Sequence, residues 1–330
     1  MRMETDLLHG SIGDKLIRIA LPLAATAVLQ QLFNAADIAV VGRFVGEAAM
    51  AAVGGNAPVV ALVVNLFFVL ALGMGAGGVA AATALSNLLS ASALFVLLCR
   101  SRSELRVVPR ELRFEPRMLR NILRIGIPAG LQSMVFALAN VCVQSAINSL
   151  GTTIIAASSA AYNLEILSYY FCNFFAQACT TMVGQNYGAG NLDRCRATLR
   201  TTLVLDFAFT AASGALLMIF AYPLLGLFND EPEVIRYGVY RLRLLVPCYA
   251  FSTCIDVFSG YLRAFGEAMA PAVASLVCAC GTRIVWVFLI FPHHRSFEHL
   301  IRVYPISLGM TALVIVTWWA LWRRRGERIT

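Results

Sequence analysis

The chain has 330 residues, of which 59% are hydrophobic and only 13% charged, and its formal net charge is +8. Soluble domains carry about 25% charged residues, so this composition excludes an ordinary soluble protein and predicts a membrane protein. The positive charge comes mostly from arginines in short loops between apolar segments, which is typical of topology signals and not of nucleic-acid binding.

Nine apolar segments follow one another along the chain, and each is long enough to cross a bilayer as a helix of about 20 residues. They lie near residues 16–42, 48–72, 76–98, 125–150, 154–182, 201–222, 244–262, 268–291 and 303–322. Little sequence remains for a soluble domain. We therefore predict an all-α polytopic membrane protein with about nine transmembrane helices.

The first and second parts of the chain repeat each other. Residues 16–22 (LIRIALP) match residues 122–128 (ILRIGIP), and Asn34 falls on Asn140, at a constant offset of 106. Near the ends of the two copies Thr83 falls on Tyr304, at an offset of 221. The change of offset indicates that the first copy lacks about 115 residues that the second copy has. A long repeat of apolar segments favours a two-lobed transporter.

A basic stretch at residues 100–121, interrupted by two prolines, separates the copies. We predict a truncated N-terminal lobe at 1–99, this stretch as a cytoplasmic linker, and a complete six-helix C-terminal lobe at 122–330. Arginines on alternate loops of the second copy place both of its ends on the cytoplasmic side.

Several of these elements resemble the multidrug and toxic compound extrusion (MATE) antiporters. The resemblance covers nearly the whole chain, in the family's order. It is carried by 33–54 (FNAADIAVVGRFVGEAAMAAVG), 184–190 (GQNYGAG), 259–271 (SGYLRAFGEAMAP), 282–292 (TRIVWVFLIFP) and 304–307 (YPIS). It implies two related bundles with twelve helices in all, where this chain has equivalents of helices 1, 2 and 6 in its first lobe. It also implies a bacterial plasma-membrane protein that exports cationic or amphipathic organic compounds against inward flow of protons or sodium ions.

Asp37 is an acidic residue inside the first apolar segment, and a carboxylate in hydrocarbon is costly enough to be functional by default. The alternative is a helix-end acid paired with Arg43. The resemblance places Asp37 on the family's cation-coupling acid and Thr83 on one of its polar partners. Asn34 lies on the same segment as Asp37 and is the third candidate for this site.

Glu165 and Asp256 are acidic residues within spans of the second copy, and either could attract a cationic substrate or a coupling ion. The alternative for Asp256 is an ion pair with Arg283. Asn140 and Gln144 could line a water-filled cavity or hold helices together. Tyr162 and its aromatic neighbours suit flat cations, although such a helix more often serves packing.

No nucleophile–base arrangement or phosphate loop is apparent, so the sequence predicts no enzyme. The loop with His293, His294, Glu298 and His299 has no second group of ligands and predicts no metal site. We expect no cofactor beyond a coupling proton or sodium ion. The expected partners are small organic cations or drugs and membrane lipid, and not nucleic acid. Two alternatives to a multidrug antiporter remain: a truncated, non-transporting remnant, and, as the weaker of the two, a lipid-linked flippase.

Overall fold

The computed structural model describes residues 7–8, 10–21, 85, 88, 92, 96, 99–100, 108–109, 115–229 and 231–326. The chain divides into two compact units, Met1–Ala24 with Arg120–Thr330, and Ala25–Leu119. In the second unit the described positions between 85 and 100 are helical. The first unit carries the site and is described below.

The described residues form helices and turns, with no strand among them, which confirms the all-α prediction. The α-helices are α1 (12–21), α2 (Pro116–Asn148), α3 (Thr152–Gly188), α4 (Leu192–Ile219), α5 (Ala221–Gly226), α6 (Pro232–Leu245), α7 (Tyr249–Ala264), α8 (Met269–Ala274), α9 (Thr282–Val285), α10 (Phe297–Ile301) and α11 (Val303–Gly326). Short 3₁₀ or π segments connect several of them, at Val246–Cys248, Ser275–Gly281, Trp286–Ile290 and Phe291–His293.

Within the described ranges, four helical stretches are long and apolar enough to span a membrane. They are Leu192–Ile219, Pro232–Ala264, Met269–His293 and Phe297–Arg324. Each overlaps a predicted span of the second copy. The prediction of nine spans for the whole chain is untested, because most of residues 22–114 lie outside the described ranges.

Local chemistry explains where the helices begin and end. Gly190 has a φ of +76°, a left-handed conformation that favours glycine, and it closes the turn after α3. The Asn191 side chain then caps α4 by accepting a hydrogen bond from the Arg194 amide at 3.3 Å. At the start of α6, the Asn229 side chain accepts from the Glu231 amide at 2.7 Å, and Pro232 occupies the first turn.

The α3 helix is the centre of the bundle and packs against α4, α6 and α7. The α7 helix also packs against α4 and α11. Gly260 permits the closest approach of α7 to α3, since a Cβ atom there would lie 3.0 Å from the Ala176 carbonyl oxygen and still closer to the Thr180 hydroxyl. Small residues at such crossings are characteristic of membrane helices.

We expect Gly260→Ala to lower the stability of the bundle by about 1–3 kcal/mol, because the added methyl group forces the two helices apart. Gly184→Ala is the matched control on α3, where a Cβ atom would meet nothing within 4 Å. That change should leave stability equal or raise it by up to about 1 kcal/mol through helix propensity. Thermal unfolding in detergent measures both, and equal melting temperatures would contradict the close-packed crossing.

The N-terminal residues dock on the middle of the bundle. Leu16 and Ala20 of α1 are fully buried against Phe175 and Met182 of α3. The Leu7 carbonyl accepts a hydrogen bond from the buried Asn186 amide at 3.2 Å, which ties the segment before α1 to the end of α3. Helix α1 is therefore part of the first unit and not a detached terminus.

Candidate functional site

A cavity of about 650 Å³ lies inside the first unit. Helices α2, α3, α6, α7, α9 and α11 contribute to its wall. Its polar and charged lining residues are Asn140, Gln144, Tyr162, Glu165, Tyr169, Asn173, Arg241, Tyr249, Ser252, Asp256, Arg263, Arg283 and Tyr304. The structure thus gathers in one place all six residues that the sequence analysis assigned to a substrate cavity: Glu165, Asp256, Asn140, Gln144, Tyr162 and Arg283.

Glu165 is bound by an arginine that the sequence analysis did not consider. Arg241 of α6 donates from Nη2 to Glu165 Oε1 at 2.6 Å and from Nε to Oε2 at 3.1 Å. It also donates to the Ser158 hydroxyl. Both charged side chains are about 4% exposed. This two-point pairing neutralises the Glu165 carboxylate and fixes α3 to α6.

Arg283 has only neutral partners among the described residues. It donates from Nη1 to the Asn140 side-chain oxygen at 2.6 Å and from Nε to the Ser307 hydroxyl at 3.2 Å. Its guanidinium also lies 4.7 Å from the centre of the Tyr304 ring. The side chain is buried, and no ion pair joins it to Asp256, so the paired alternative for these two residues is absent from the structure.

The backbone around Arg283 is irregular. Helix α9 is a single turn of four residues between π-helical segments at Ser275–Gly281 and Trp286–Ile290. Such π turns rotate the helix face locally and are frequent at functional sites.

Asp256 lies on α7 and lines the cavity together with Tyr169 and Asn173 of α3. Arg263, two turns further along the same helix, also lines the cavity. The second carboxylate oxygen, Oδ2, has no hydrogen-bond partner within the described part of the chain. Asp256 therefore lines the cavity with one buried carboxylate oxygen that has no partner among the described residues.

A third acidic residue in the bundle, Asp206 of α4, was missed in the sequence. It is fully buried and accepts a hydrogen bond from Thr210 Oγ1 at 3.0 Å. Its Oδ2 has no hydrogen-bond partner among the described residues. The available signal was a lone acid in the apolar segment 201–222, the same signal that singled out Asp37.

The remaining candidates divide into three groups. Gln144 bonds along its own helix to Asn148 at 2.9 Å, and Tyr162 is 49% exposed at the cavity wall. Phe171 stacks on Phe209 and Phe175 contacts the same ring at a tilt, so both serve packing. The predicted cation-coupling residues Asp37, Asn34 and Thr83 lie outside the described residues.

Comparison with known proteins gives consistent matches. The MatE family model matches residues 128–289. The chain is 26% identical over 226 residues to the probable multidrug resistance protein NorM of Thermotoga maritima, covering 67% of this chain and 48% of that protein. It is 25% identical over 285 residues to the probable multidrug resistance protein YoeA of Bacillus subtilis, covering 81% and 60%.

The fold likeness extends further than the sequence likeness. A crystal structure of MATE in the straight conformation superposes with a TM-score of 0.81 at 16% identity, covering 98% of both chains. That match shows a shared fold. The chain spans about half the length of the curated relatives it matches.

Proposed function

We propose that the chain is an efflux transporter of the MATE type, because the MatE family model matches residues 128–289, and that it exports drug-sized organic compounds in exchange for protons or sodium ions. The observation that carries this proposal is the polar cavity inside a bundle of membrane-spanning helices. A cavity of about 650 Å³ has the size of a small-molecule site. Buried ionisable groups within a membrane bundle mark substrate or ion pathways.

The proposed mechanism is alternating access between a truncated N-terminal lobe at 1–99 and a six-helix lobe at 122–330, joined by the basic linker at 100–121. Drug binds in the cavity, and cation binding at Asp37, with Asn34 and Thr83 as polar partners, releases it. We place the protein in the bacterial plasma membrane as a multi-pass protein.

A second candidate function is that of a remnant that does not transport. The change of repeat offset favours it, since about 115 residues of the first copy are missing relative to the second. Helices that would complete the Asp37 site in the resemblance are then absent.

We expect Asp37→Asn to abolish cation-coupled efflux while expression stays intact, because an amide keeps the shape of the carboxyl group but cannot exchange a proton or attract a cation by charge. The measurement is efflux of cationic ethidium and anionic carboxyfluorescein from cells that lack their own pumps. Three proteins are compared: the chain, its Asp37→Asn variant and a chimera with a full-length first lobe.

Robust efflux that is indifferent to Asp37→Asn would refute the coupling role of this residue. Efflux by the chimera alone would favour the remnant for this chain. The two probes of opposite charge keep the outcome independent of which substrates the cavity prefers.

A further inference from the structure

The charges of the described cavity do not favour a cation. Its charged lining residues are the acids Glu165 and Asp256 and the arginines Arg241, Arg263 and Arg283. Glu165 and Arg241 cancel each other in a two-point ion pair. Of the remaining charges that line the cavity, Asp256 offsets Arg263, which lies seven residues further along α7. One positive charge, that of Arg283, is left without a carboxylate among the described residues.

We infer that this cavity binds organic anions, and that the guanidinium of Arg283 receives their carboxylate or phosphate group. The inference rests on the proposed function, of which it names the substrate class. Any proton taken up by Asp256 would make the cavity still more positive.

The geometry of Arg283 suits this role. A guanidinium has five N–H donors in a planar fork that matches a carboxylate or phosphate. Only Nε and Nη1 have hydrogen-bond partners among the described residues, and both acceptors are neutral. Donors on Nη1 and Nη2 therefore remain for an incoming anion, while Ser307 and Asn140 hold the side chain in place.

The energetics favour the same ligand. A buried charge without a counter-charge is costly inside a membrane bundle, and Arg283 is 3% exposed. An anion that enters the cavity removes part of this cost, whereas a cation adds to it. Coulombic effects of this kind are much larger in a low-dielectric cavity than in water.

The alternative is that Arg283 only braces the bundle, linking α2 to α11 through Asn140 and Ser307. That role predicts the same loss for every substrate when Arg283 is changed. The anion site predicts a loss that depends on the charge of the substrate, so two probes of opposite charge separate the roles.

The test uses the full chain in detergent and in everted membrane vesicles, with carboxyfluorescein as the anionic probe and ethidium as the cationic probe. In detergent, carboxyfluorescein should raise the melting temperature of the unchanged protein and ethidium should not. This measurement needs no variant and stands even if a substitution at Arg283 prevents folding.

Arg283→Gln should weaken carboxyfluorescein binding and vesicle transport at least tenfold and leave those of ethidium equal or higher. Arg283→Lys keeps the positive charge but loses the planar guanidinium, so its carboxyfluorescein binding and transport should lie between those of the unchanged protein and Arg283→Gln. Arg236→Gln is the control, because Arg236 is exposed on α6 and does not line the cavity. It should change neither probe.

Equal losses for both probes, or stabilisation by ethidium alone, would overturn the anion site. Binding of carboxyfluorescein in detergent without transport of either probe would leave the site standing and refute the transport function of this chain. Transport of ethidium without binding of carboxyfluorescein would refute the anion site and leave the transport function standing.

Discussion

Arg241→Met should destabilise the folded bundle by about 3–5 kcal/mol, the usual cost of breaking a buried ion pair on one side. Arg241 supplies both hydrogen bonds that the described structure gives to Glu165, at 2.6 and 3.1 Å. Methionine fills a similar volume but cannot donate a hydrogen bond to the carboxylate. The Glu165 carboxylate would then be a buried charge without a partner, in a site that is about 4% exposed.

The double variant Glu165→Gln/Arg241→Met should regain most of this loss, because it removes the second charge as well. Arg236→Met is the matched control on the same helix. Its pair with Glu233, at 3.6 Å, is mostly exposed and should contribute less than about 1 kcal/mol. Thermal unfolding of the purified proteins in detergent measures all three, and a double variant no more stable than Arg241→Met alone would contradict a buried pair.

The Glu165–Arg241 pair shows which features of the structure the sequence predicted and which it did not. Apolar length and composition predicted the all-α membrane class and spans that overlap the four described membrane helices. They placed the fourth span of the second copy at 244–262, whereas the helical stretch begins at Pro232. The arginines of residues 236–243 lowered the apparent hydropathy there, so Arg241 was overlooked. Its burial depends on Glu165, 76 positions away along the chain.

The candidate site was predicted in part. Glu165, Asp256, Asn140 and Arg283 line one cavity, as polar residues inside predicted spans would suggest. Their pairing could not be predicted, because it depends on which helix faces which. Arg283 bonds to Asn140 on α2 instead of Asp256 on α7. The sequence-based idea that Glu165 attracts cations takes no account of Arg241, which neutralises it in the structure.

The GQNYGAG element at 184–190 illustrates a smaller difference. Closely spaced glycines such as these are typical of turns. The structure continues α3 through Gly188 and confines the turn to the following residues. Gly184 and Gly188 are tolerated within the helix because neighbouring residues keep the backbone hydrogen bonds, and only Gly190 has the left-handed conformation that requires glycine.

The second large effect is expected at Phe175, where the N-terminal segment meets α3. This ring is 1% exposed and packs with Leu16, Ala20, Met182 and Phe209. Phe175→Ala should cost about 3 kcal/mol, near the lower end for a buried phenylalanine. We expect a value near the lower end because lipid tails solvate an aromatic ring almost as well as protein does. The loss of stability then comes mainly from the void that the missing ring leaves and from its broken contacts.

Phe207→Ala is the control for Phe175→Ala, since Phe207 lies on α4 two residues from Phe209 and is 37% exposed. We expect that change to cost less than about 1 kcal/mol. Limited trypsin digestion adds a local readout, because Lys15 and Arg18 lie in α1. In Phe175→Ala the segment at 10–21 should be cleaved several-fold faster, while hydrogen bonds from Asn186 and Arg194 still hold the chain at Leu7 and Gly10. Loss of stability without faster cleavage would place the weakened contacts within the bundle and contradict the docking of α1 on Phe175.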